Sequence, residues 1–391
     1  MTKNIWMRGA RVAVLAALCA APAGAKVVFT GYGDFQVTPQ SRFHIDAPPS
    51  VLNGTGIGPE VLESRGTTIN ALGLFATTSI NDQTRLMMDV TYKGIGSTVK
   101  TLTIQYGFVE YSDYGATGRL GKITLPFNYY NQNRFYPFQH ASITAPTFQT
   151  AILGLPIADI GATIGRPFEL GGGATLKADL YAVNGFGSLA GSSTTFRSGG
   201  LLSSGLSVAN NVGSSDNNHD VAVGGRLELA HESLSDSSVG VSYYRGRWDP
   251  AGRNLFQMAG AHVHAVFAGF DSLTEYLMLD AKSDEGMLAN FGSPNWRTNG
   301  FFSELDYTKL ILWKKPLTPW IRYEDYMSQA TGGGQERERL SAVAGGASLK
   351  IADGLILKVE ASDLYYRLPY QGKGDLKLEG YAFRSAVTVT F

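Results

Sequence analysis

Runs in which apolar and polar side chains alternate recur along most of this chain, and they constrain its fold more than any other feature. In the last run, residues 381–391, aromatic and β-branched side chains take most odd positions, and small or polar ones take the even positions. Successive side chains of a β-strand point to opposite faces of the sheet. Each run therefore predicts a strand with one apolar and one polar face.

The spacing of these runs predicts how the strands are connected. Long connections, such as 38–65, 128–156, 185–217, 283–297 and 367–377, alternate with tight ones such as 81–83, 171–173 and 352–354. Sixteen strands are predicted, near 26–37, 66–79, 84–93, 99–112, 116–127, 157–167, 174–184, 218–230, 237–248, 257–270, 272–282, 298–309, 317–329, 338–350, 355–365 and 378–391. We therefore predict an all-β fold, a transmembrane antiparallel β-barrel of about 16 strands (14–18) with long external loops and short periplasmic turns. Closure leaves no sheet edge for lipid to contact.

The N-terminus has the pattern of an exported protein. Lys3, Arg8 and Arg11 precede an apolar stretch, 12–21, and Ala-Gly-Ala at 23–25 has the form of a cleavage site. We predict a cleaved signal peptide over residues 1–25, export through the Sec pathway, and a single barrel domain over 26–391. The one cysteine lies inside the predicted signal peptide, so the mature barrel is expected to hold without disulfides.

Composition excludes several other classes. The 33 basic residues balance 33 acidic ones, so the chain lacks the basic excess of a nucleic-acid-binding protein. A hydrophobic content of 44% argues against disorder. Beyond the N-terminus, no apolar run approaches the roughly 18 residues that a spanning helix needs.

Three stretches carry a resemblance to a known family. They are Val-Phe-Thr-Gly-Tyr-Gly-Asp at 28–34, Gly-Lys-Ile-Thr-Leu-Pro at 121–126 continuing to Arg134, and the terminal Phe391. With the predicted signal peptide, they make the sequence resemble Gram-negative outer-membrane porins of the general porin superfamily, and the second stretch is similar to a segment of the porin O/P-like group. Lys122 stands where that group has arginine, and no dense arginine ladder is seen, so we carry over the architecture but not the substrate.

The resemblance implies a passive diffusion channel for small hydrophilic solutes or ions in the Gram-negative outer membrane. It implies a homotrimer in contact with outer-membrane lipid and lipopolysaccharide, with no cofactor. It also implies that the barrel-insertion machinery recognises Phe391 as a membrane insertion signal. The same topology implies that the connection 128–156 folds into the barrel as a constriction loop.

The composition of this connection fits that expectation. It is rich in aromatic residues, which favour packing against a surface over exposure to water. We expect Tyr129, Tyr130, Arg134 and His140 to contribute to a constriction. The alternative is that Arg134 and His140 are exposed loop residues without effect on transport.

The polar faces of the strands predict the pore lining, because a charge facing lipid at mid-membrane costs about 2–4 kcal/mol for Arg or Lys. The candidates are Arg85, Asp89, Lys122, Lys177, Asp179, Arg226, Glu228, Glu304, Arg322, Glu324, Lys358, Glu360 and Arg384. Together they would sort solutes by charge. The alternative is that pairs two residues apart, such as Lys358 and Glu360, only stabilise the wall as ion pairs.

No catalytic or metal-binding pattern emerges from the sequence, so we expect no enzyme. His262 and His264 share a strand face, but two histidines without a carboxylate partner are a weak metal signal. Besides the porin, three alternatives remain open: a closed outer-membrane barrel with an adhesion or structural role through its external loops, a transporter of hydrophobic substrates, and a soluble periplasmic β protein.

Overall fold

The computed structural model describes residues 26–46, 62–95, 101–146, 157–185, 187–188, 208–209, 218–234, 236–248, 251–282, 295–331, 337–370 and 374–391. The predicted signal peptide, 1–25, lies outside these residues, as does the last part of the predicted constriction loop, 147–156. No helix in the described part of the chain is long and apolar enough to cross a membrane.

Sixteen antiparallel strands form the sheet. They are β1 (Val27–Asp46), β2 (Leu62–Ser79), β3 (Thr84–Ile95), β4 (Thr101–Asp113), β5 (Ala116–Thr124), β6 (Ala158–Gly171), β7 (Ala174–Val183), β8 (Ala222–His231), β9 (Ser238–Arg247), β10 (Leu255–Phe267), β11 (Phe270–Lys282), β12 (Asn295–Tyr307), β13 (Lys315–Thr331), β14 (Arg337–Ala352), β15 (Leu355–Tyr370) and β16 (Gly374–Thr390). A three-residue strand, Leu310–Leu312, pairs only with the start of β13. Residues 187–188 and 208–209 form a separate pair.

Each strand pairs with its sequence neighbours, and β1 also pairs with β16, which closes the sheet into a barrel. The last residue takes part in this closure, since Phe391 and Gly31 exchange two backbone hydrogen bonds of 2.8 and 3.0 Å. The predicted fold class is therefore confirmed: the chain is a closed antiparallel barrel of sixteen strands. Closure satisfies the backbone groups that an open edge would leave unpaired.

One rim of the barrel carries the tight connections, among them 114–115, 172–173, 268–269 and 353–354, and we call it the turn rim. The connection 125–157 leaves the opposite rim, which we call the loop rim. At the loop rim several strands extend further than predicted: β15 runs to Tyr370 and β16 begins at Gly374, where a long connection was expected. Outward positions there carry charges such as Arg367, so the apolar alternation used for the prediction stops before the strand does.

The outer face of the barrel is apolar around its middle. Large hydrophobic side chains point outward from strands around the barrel, including Val241, Ile321, Val359 and Phe383. Aromatic side chains near the turn rim, among them Tyr114 and Trp313, are also exposed. An apolar outer band with aromatic residues at its edge is the surface that a transmembrane barrel presents to lipid.

Candidate functional site

The chain that follows β5 turns into the barrel interior. A buried asparagine, Asn131, joins the residue at which the chain leaves the wall to the residue at which it returns. The Asn131 side-chain amide donates to the carbonyl oxygens of Leu125 at 2.9 Å and Ile157 at 3.2 Å. The Ile157 backbone N–H donates to Asn131 Oδ1 at 2.7 Å. We call residues 125–146 the inner loop. Its only regular elements are one helical turn, Tyr130–Asn133, and one 3₁₀ turn, Pro137–Gln139.

The first contact of the inner loop with the far wall is at Asn128. Its φ of 54° is in the left-handed region that asparagine tolerates better than most residues. The Asn128 backbone N–H donates to Ser242 Oγ at 3.0 Å. Gly260 of β10 makes room, because a Cβ there would lie 2.0 Å from Asn128 Oδ1.

The next two residues are held by aromatic and carboxylate contacts. The Tyr130 backbone N–H donates to Glu275 Oε1 at 2.6 Å, and the buried Tyr130 ring meets Phe302 edge-on with a centroid distance of 5.8 Å. The Tyr129 ring stacks on His264 at 4.4 Å. Burial raises the pKa of Tyr129 to about 12, so this phenol stays protonated at neutral pH.

Arg134 joins the inner loop to β11 and β12. Its buried guanidinium lies 2.5 Å from Asp271, 3.1 Å from Glu304 and 3.4 Å from Asp306. One cation thus compensates part of the charge of three carboxylates. A buried charge is tolerated only when it is paired in this way.

The second half of the inner loop is held by Lys358 of β15. Lys358 Nζ donates to the carbonyl oxygens of Pro137, His140 and Ser142, at 2.7 and 2.9 Å for the last two. His140 Nδ1 lies 2.8 Å from Ser142 Oγ. Burial, together with the nearby Lys358 cation, holds the pKa of His140 well below its usual range, so this imidazole is neutral.

Glu360, two residues along the same strand, accepts from the loop backbone. The N–H groups of Ile143 and Thr144 donate to Glu360 Oε2 at 2.8 and 2.9 Å. Arg322 donates to the Thr144 carbonyl at 2.8 Å and to Glu304 at 3.1 Å. Charged side chains of β13 and β15 therefore hold the loop through its main chain.

An aromatic cluster joins the inner loop to β1 and β2. The rings of Tyr136 and Phe138 stack at 5.2 Å, and both meet Tyr32 edge-on at 5.4 Å. Phe75 packs against the same rings. The Tyr136 hydroxyl donates to Asp89, which is fully buried.

A cavity of about 480 Å³ remains between the inner loop and strands β3 to β7. Its wall side includes Arg85, Tyr106, Glu110, Arg119, Lys177 and Asp179, and its loop side includes Gln132, Asn133, Phe135, Tyr136 and Gln139. The inner loop thus packs against one side of the barrel and leaves space along the other. We call this space the passage.

The cationic side chains that face the passage are more exposed than the carboxylates beside them. Arg85 and Arg119 flank Glu110 at 2.5 and 2.8 Å, and Lys177 lies 3.9 Å from Asp179. The three cationic side chains are 51, 34 and 47% exposed, whereas Glu110 is 2% and Asp179 12% exposed. Three cations and two carboxylates leave one positive charge, and the accessible atoms are mostly basic.

Most of the predicted lining residues lie on the inner face of the barrel. These are Arg85, Asp89, Lys177, Asp179, Arg226, Glu228, Glu304, Arg322, Glu324, Lys358, Glu360 and Arg384. Many are buried against the inner loop or against one another. Arg226 pairs with Glu228, Arg322 with Glu324, and Glu360 with Arg384. Arg85 and Lys177, which face the passage, stay about half exposed.

Lys122 is the exception, and its predicted place in the lining is wrong. Its register partner is Ile160, an outward side chain that is 38% exposed, and it shares a strand face with Leu120, which is 68% exposed. Lys122 Nζ donates to the Ile104 carbonyl on this outer side. The inward cation of β5 is Arg119.

Four site residues were missed in the sequence: Glu110, Arg119, Asp271 and Glu275. For Arg119 a signal existed, because the apolar Leu120 follows it directly and strand neighbours face opposite sides. No comparable signal identifies Asp271 and Glu275, whose role depends on where the inner loop lies.

The two histidines of β10, His262 and His264, lie against the Tyr129 ring of the inner loop. His264 Nε2 lies 2.8 Å from Asp271, and His262 Nε2 lies 3.2 Å from Glu228. Over the part of the chain that the structure describes, no group of three or more His, Cys, Asp or Glu side chains could hold a metal ion.

Comparison with known proteins agrees with the architecture. No protein-family model matches the sequence, and no curated protein matches it. Solved structures do match. An anion-selective porin from Comamonas acidovorans superimposes with a TM-score of 0.59 at 12% identity, over 94% of this chain and 100% of that one.

Two further structures give the same result. OmpF of Salmonella typhi, in a complex with daunomycin, has a TM-score of 0.54 at 12% identity over 94% of this chain and 98% of its own. OmpT, an outer membrane protein of Vibrio cholerae in its trimer form, has a TM-score of 0.54 at 11% identity over 94% and 99%. At this identity the likeness shows the fold, which is that of outer-membrane barrels.

Proposed function

We propose that this protein is an outer-membrane porin, a passive channel for small hydrophilic solutes or ions. The observation that carries the proposal is the passage: a closed barrel retains an accessible, charged cavity beside a loop that is fixed to the opposite wall. Sixteen strands enclose an interior wide enough for an aqueous channel. The inner loop, with Tyr129, Tyr130, Arg134 and His140, then acts as the constriction.

We further propose that the channel favours anions. A solute in the passage meets Arg85, Arg119 and Lys177 first, because the carboxylates beside them are nearly buried. Fixed charges in a narrow, partly desolvated space act on ions more strongly than they do in bulk water. The likeness to a porin named as anion-selective is in line with this preference.

The test is single-channel recording of the refolded protein in a planar bilayer under a KCl gradient. We expect discrete openings and a reversal potential of the sign that chloride permeation gives. Arg119→Ala should shift the reversal potential toward zero. Lys122→Ala is the matched control, since it removes the same charge three residues away on the outer face, and it should leave the potential unchanged.

Two outcomes would contradict the proposal. No conductance from a correctly folded barrel would favour a closed barrel that acts through its external loops. Equal shifts from Arg119→Ala and Lys122→Ala would show that the passage does not set the selectivity.

We also propose that the chain lies in the Gram-negative outer membrane after Sec export and that it assembles as a homotrimer. In this proposal the barrel-insertion machinery recognises Phe391. The apolar outer band supports the location, and the trimer form of the similar OmpT structure supports the assembly. Size measurement in detergent tests the assembly, and fractionation of the membranes tests the location.

A further inference from the structure

Two arginines and one carboxylate form a cluster on the wall of the passage, close to the turn rim. Glu110 of β4 is the register partner of Arg85 of β3 and of Arg119 of β5. Its Oε1 accepts from Arg85 Nε at 2.5 Å, and its Oε2 accepts from Arg119 Nε at 2.8 Å. One buried carboxylate therefore holds two guanidinium groups side by side. We call these three residues the arginine cluster.

The arginine cluster retains hydrogen-bond donors for a ligand. Each guanidinium donates to Glu110 through Nε, and among the described residues neither Nη1 nor Nη2 of Arg85 or Arg119 has an acceptor. The two arginine side chains are 51 and 34% exposed, so a solute in the passage can reach these groups. Neighbouring guanidinium groups with free Nη donors bind a carboxylate through charge-assisted hydrogen bonds.

The charge of the cluster matches an anion with a single negative charge. Its two cations and one carboxylate leave one positive charge, and Lys177 and Asp179, on the wall of the same passage, pair with each other at 3.9 Å. The next carboxylate along β3 is Asp89, four residues from Arg85 and thus about 13 Å along the strand. Asp89 is fully buried and accepts from the Tyr136 hydroxyl.

The loop side of the passage is uncharged. Its lining residues are Gln132, Asn133, Phe135, Tyr136 and Gln139. The three amide groups are hydrogen-bonded to the main chain of the inner loop itself. The partly exposed Phe135 ring is therefore an apolar surface that the loop presents to the passage.

Aromatic rings also line the wall beside the arginine cluster. The Arg119 guanidinium lies over the Phe108 ring at 5.3 Å, and the Tyr106 ring lies 5.5 Å from Phe108. Tyr106 is four residues from Glu110, on the side away from the turn rim. The cavity of about 480 Å³ has the size of a small-molecule site. It combines free cationic donors toward the turn rim with aromatic surfaces on two sides.

We propose that the passage binds monocarboxylates that carry a flat aromatic body, of which benzoate is the simplest. The carboxylate accepts from the Nη groups of Arg85 and Arg119, and the ring packs against Phe108 and Phe135. A plain anion lacks the ring contact, and a neutral aromatic molecule lacks the charge contact. The proposal rests on the proposed porin function and names the class of solute for which the passage has a site.

The test is titration of the refolded channel with benzoate in a planar bilayer at constant ionic strength. A solute that binds in the passage reduces the chloride current, and the reduction saturates with concentration. Acetate is the control for the carboxylate alone, and benzamide is the uncharged control with the same ring. Benzoate should give half-maximal block at a concentration about tenfold below that of acetate, because the ring adds its own contact. Benzamide should leave the current unchanged.

Two substitutions separate the ring contact from the charge contact. Phe135→Ala should raise the half-blocking concentration of benzoate about tenfold and leave that of acetate unchanged. Arg119→Ala should raise both concentrations. Phe168→Ala is the matched control for the ring, since Phe168 lies on the outer face and is 44% exposed, and it should change neither. Lys122→Ala is the corresponding control for the charge.

A second variant keeps the test valid if Arg119→Ala does not fold. Arg119→Lys preserves a cation beside Glu110, but an ammonium lacks the parallel donors of a guanidinium. It should keep the sign of the reversal potential and still weaken the block by benzoate.

Calorimetric titration of the protein folded in detergent separates this proposal from the porin proposal, because binding does not require conduction. Benzoate binding that is lost in Arg119→Ala, by a barrel without conductance, would support the site and contradict the porin. A conducting channel that benzoate and acetate block equally would overturn the aromatic carboxylate site and leave the porin proposal intact. Block by benzoate that neither Phe135→Ala nor Arg119→Lys weakens would also overturn it, since the solute would then bind elsewhere.

Discussion

Arg134 and Glu304 are 170 residues apart in the chain, yet the Arg134 guanidinium donates to Glu304 Oε1 at 3.1 Å inside the barrel. The pair joins the inner loop to β12, on the side opposite the passage. Arg322 contacts the other oxygen of Glu304 at 3.1 Å. The position of the inner loop therefore depends on charged side chains of the barrel wall. Substitutions of these residues should change both the free energy of unfolding and the single-channel conductance.

Arg134→Ala should free the inner loop. It leaves Asp271, Glu304 and Asp306 without their shared cation, and breaking a buried ion pair costs about 3–5 kcal/mol. The free energy of unfolding in urea should fall by that order, and single-channel conductance should rise. Arg297→Ala is the control, because its pair with Asp280 is on the exposed outer face and such pairs contribute under about 1 kcal/mol. Equal losses from the two variants would contradict the role of Arg134.

Gly260→Ala should disturb the loop base without removing any polar group. The added Cβ would lie 2.0 Å from Asn128 Oδ1, so the loop or β10 has to shift. Overpacking of this kind costs about 1–3 kcal/mol, measurable in urea unfolding. Gly66→Ala is the matched control, since no atom lies within 4 Å of a Cβ built there. A Gly260→Ala protein as stable as the Gly66→Ala protein would show that the close approach is not required.

Glu360→Ala and Glu360→Gln should differ. The alanine variant leaves the N–H groups of Ile143 and Thr144 without their acceptor, and hydrogen bonds to a charged group contribute about 1.5–3 kcal/mol each. The glutamine variant keeps one acceptor oxygen, so it should lose less stability in urea unfolding. Because its loop is held more firmly than in the alanine variant, its single-channel current should also fluctuate less. If both variants behave alike, the carboxylate acts through its charge toward Arg384 and not through the loop backbone.

His140 should make the protein sensitive to acid. Its pKa in the folded protein is well below its usual value near 6.5, because of burial and of the Lys358 cation. As the pH falls below about 6.5, the unfolded chain takes up a proton that the folded chain does not, so stability is complete above that pH and falls below it. The heat-unfolding midpoint should therefore drop between pH 7.5 and pH 5.

His140→Gln should reduce this drop, and His219→Gln, which changes an exposed histidine outside the barrel interior, should not. An unchanged acid response in His140→Gln would mean that other groups cause it.

The sequence by itself determined the barrel, because the period of two, the tight turns and the length of the chain all point to one closed sheet. The physical requirement is local: a strand in lipid needs an apolar face, and every backbone group needs a partner. The predicted strands were too short at the loop rim for the same reason, since no lipid there imposes the alternation on residues such as Arg367.

Only the tertiary structure decided which charged side chains face the passage and which of them hold the inner loop. The cation of β5 that faces the passage is Arg119 and not Lys122, which the strand register places outward. The carboxylates that hold Arg134 come from strands 137 to 172 residues away. Alternation predicts the face of a strand on which a side chain lies, but an irregular loop takes its position from contacts across the barrel, and these arise only when the barrel closes.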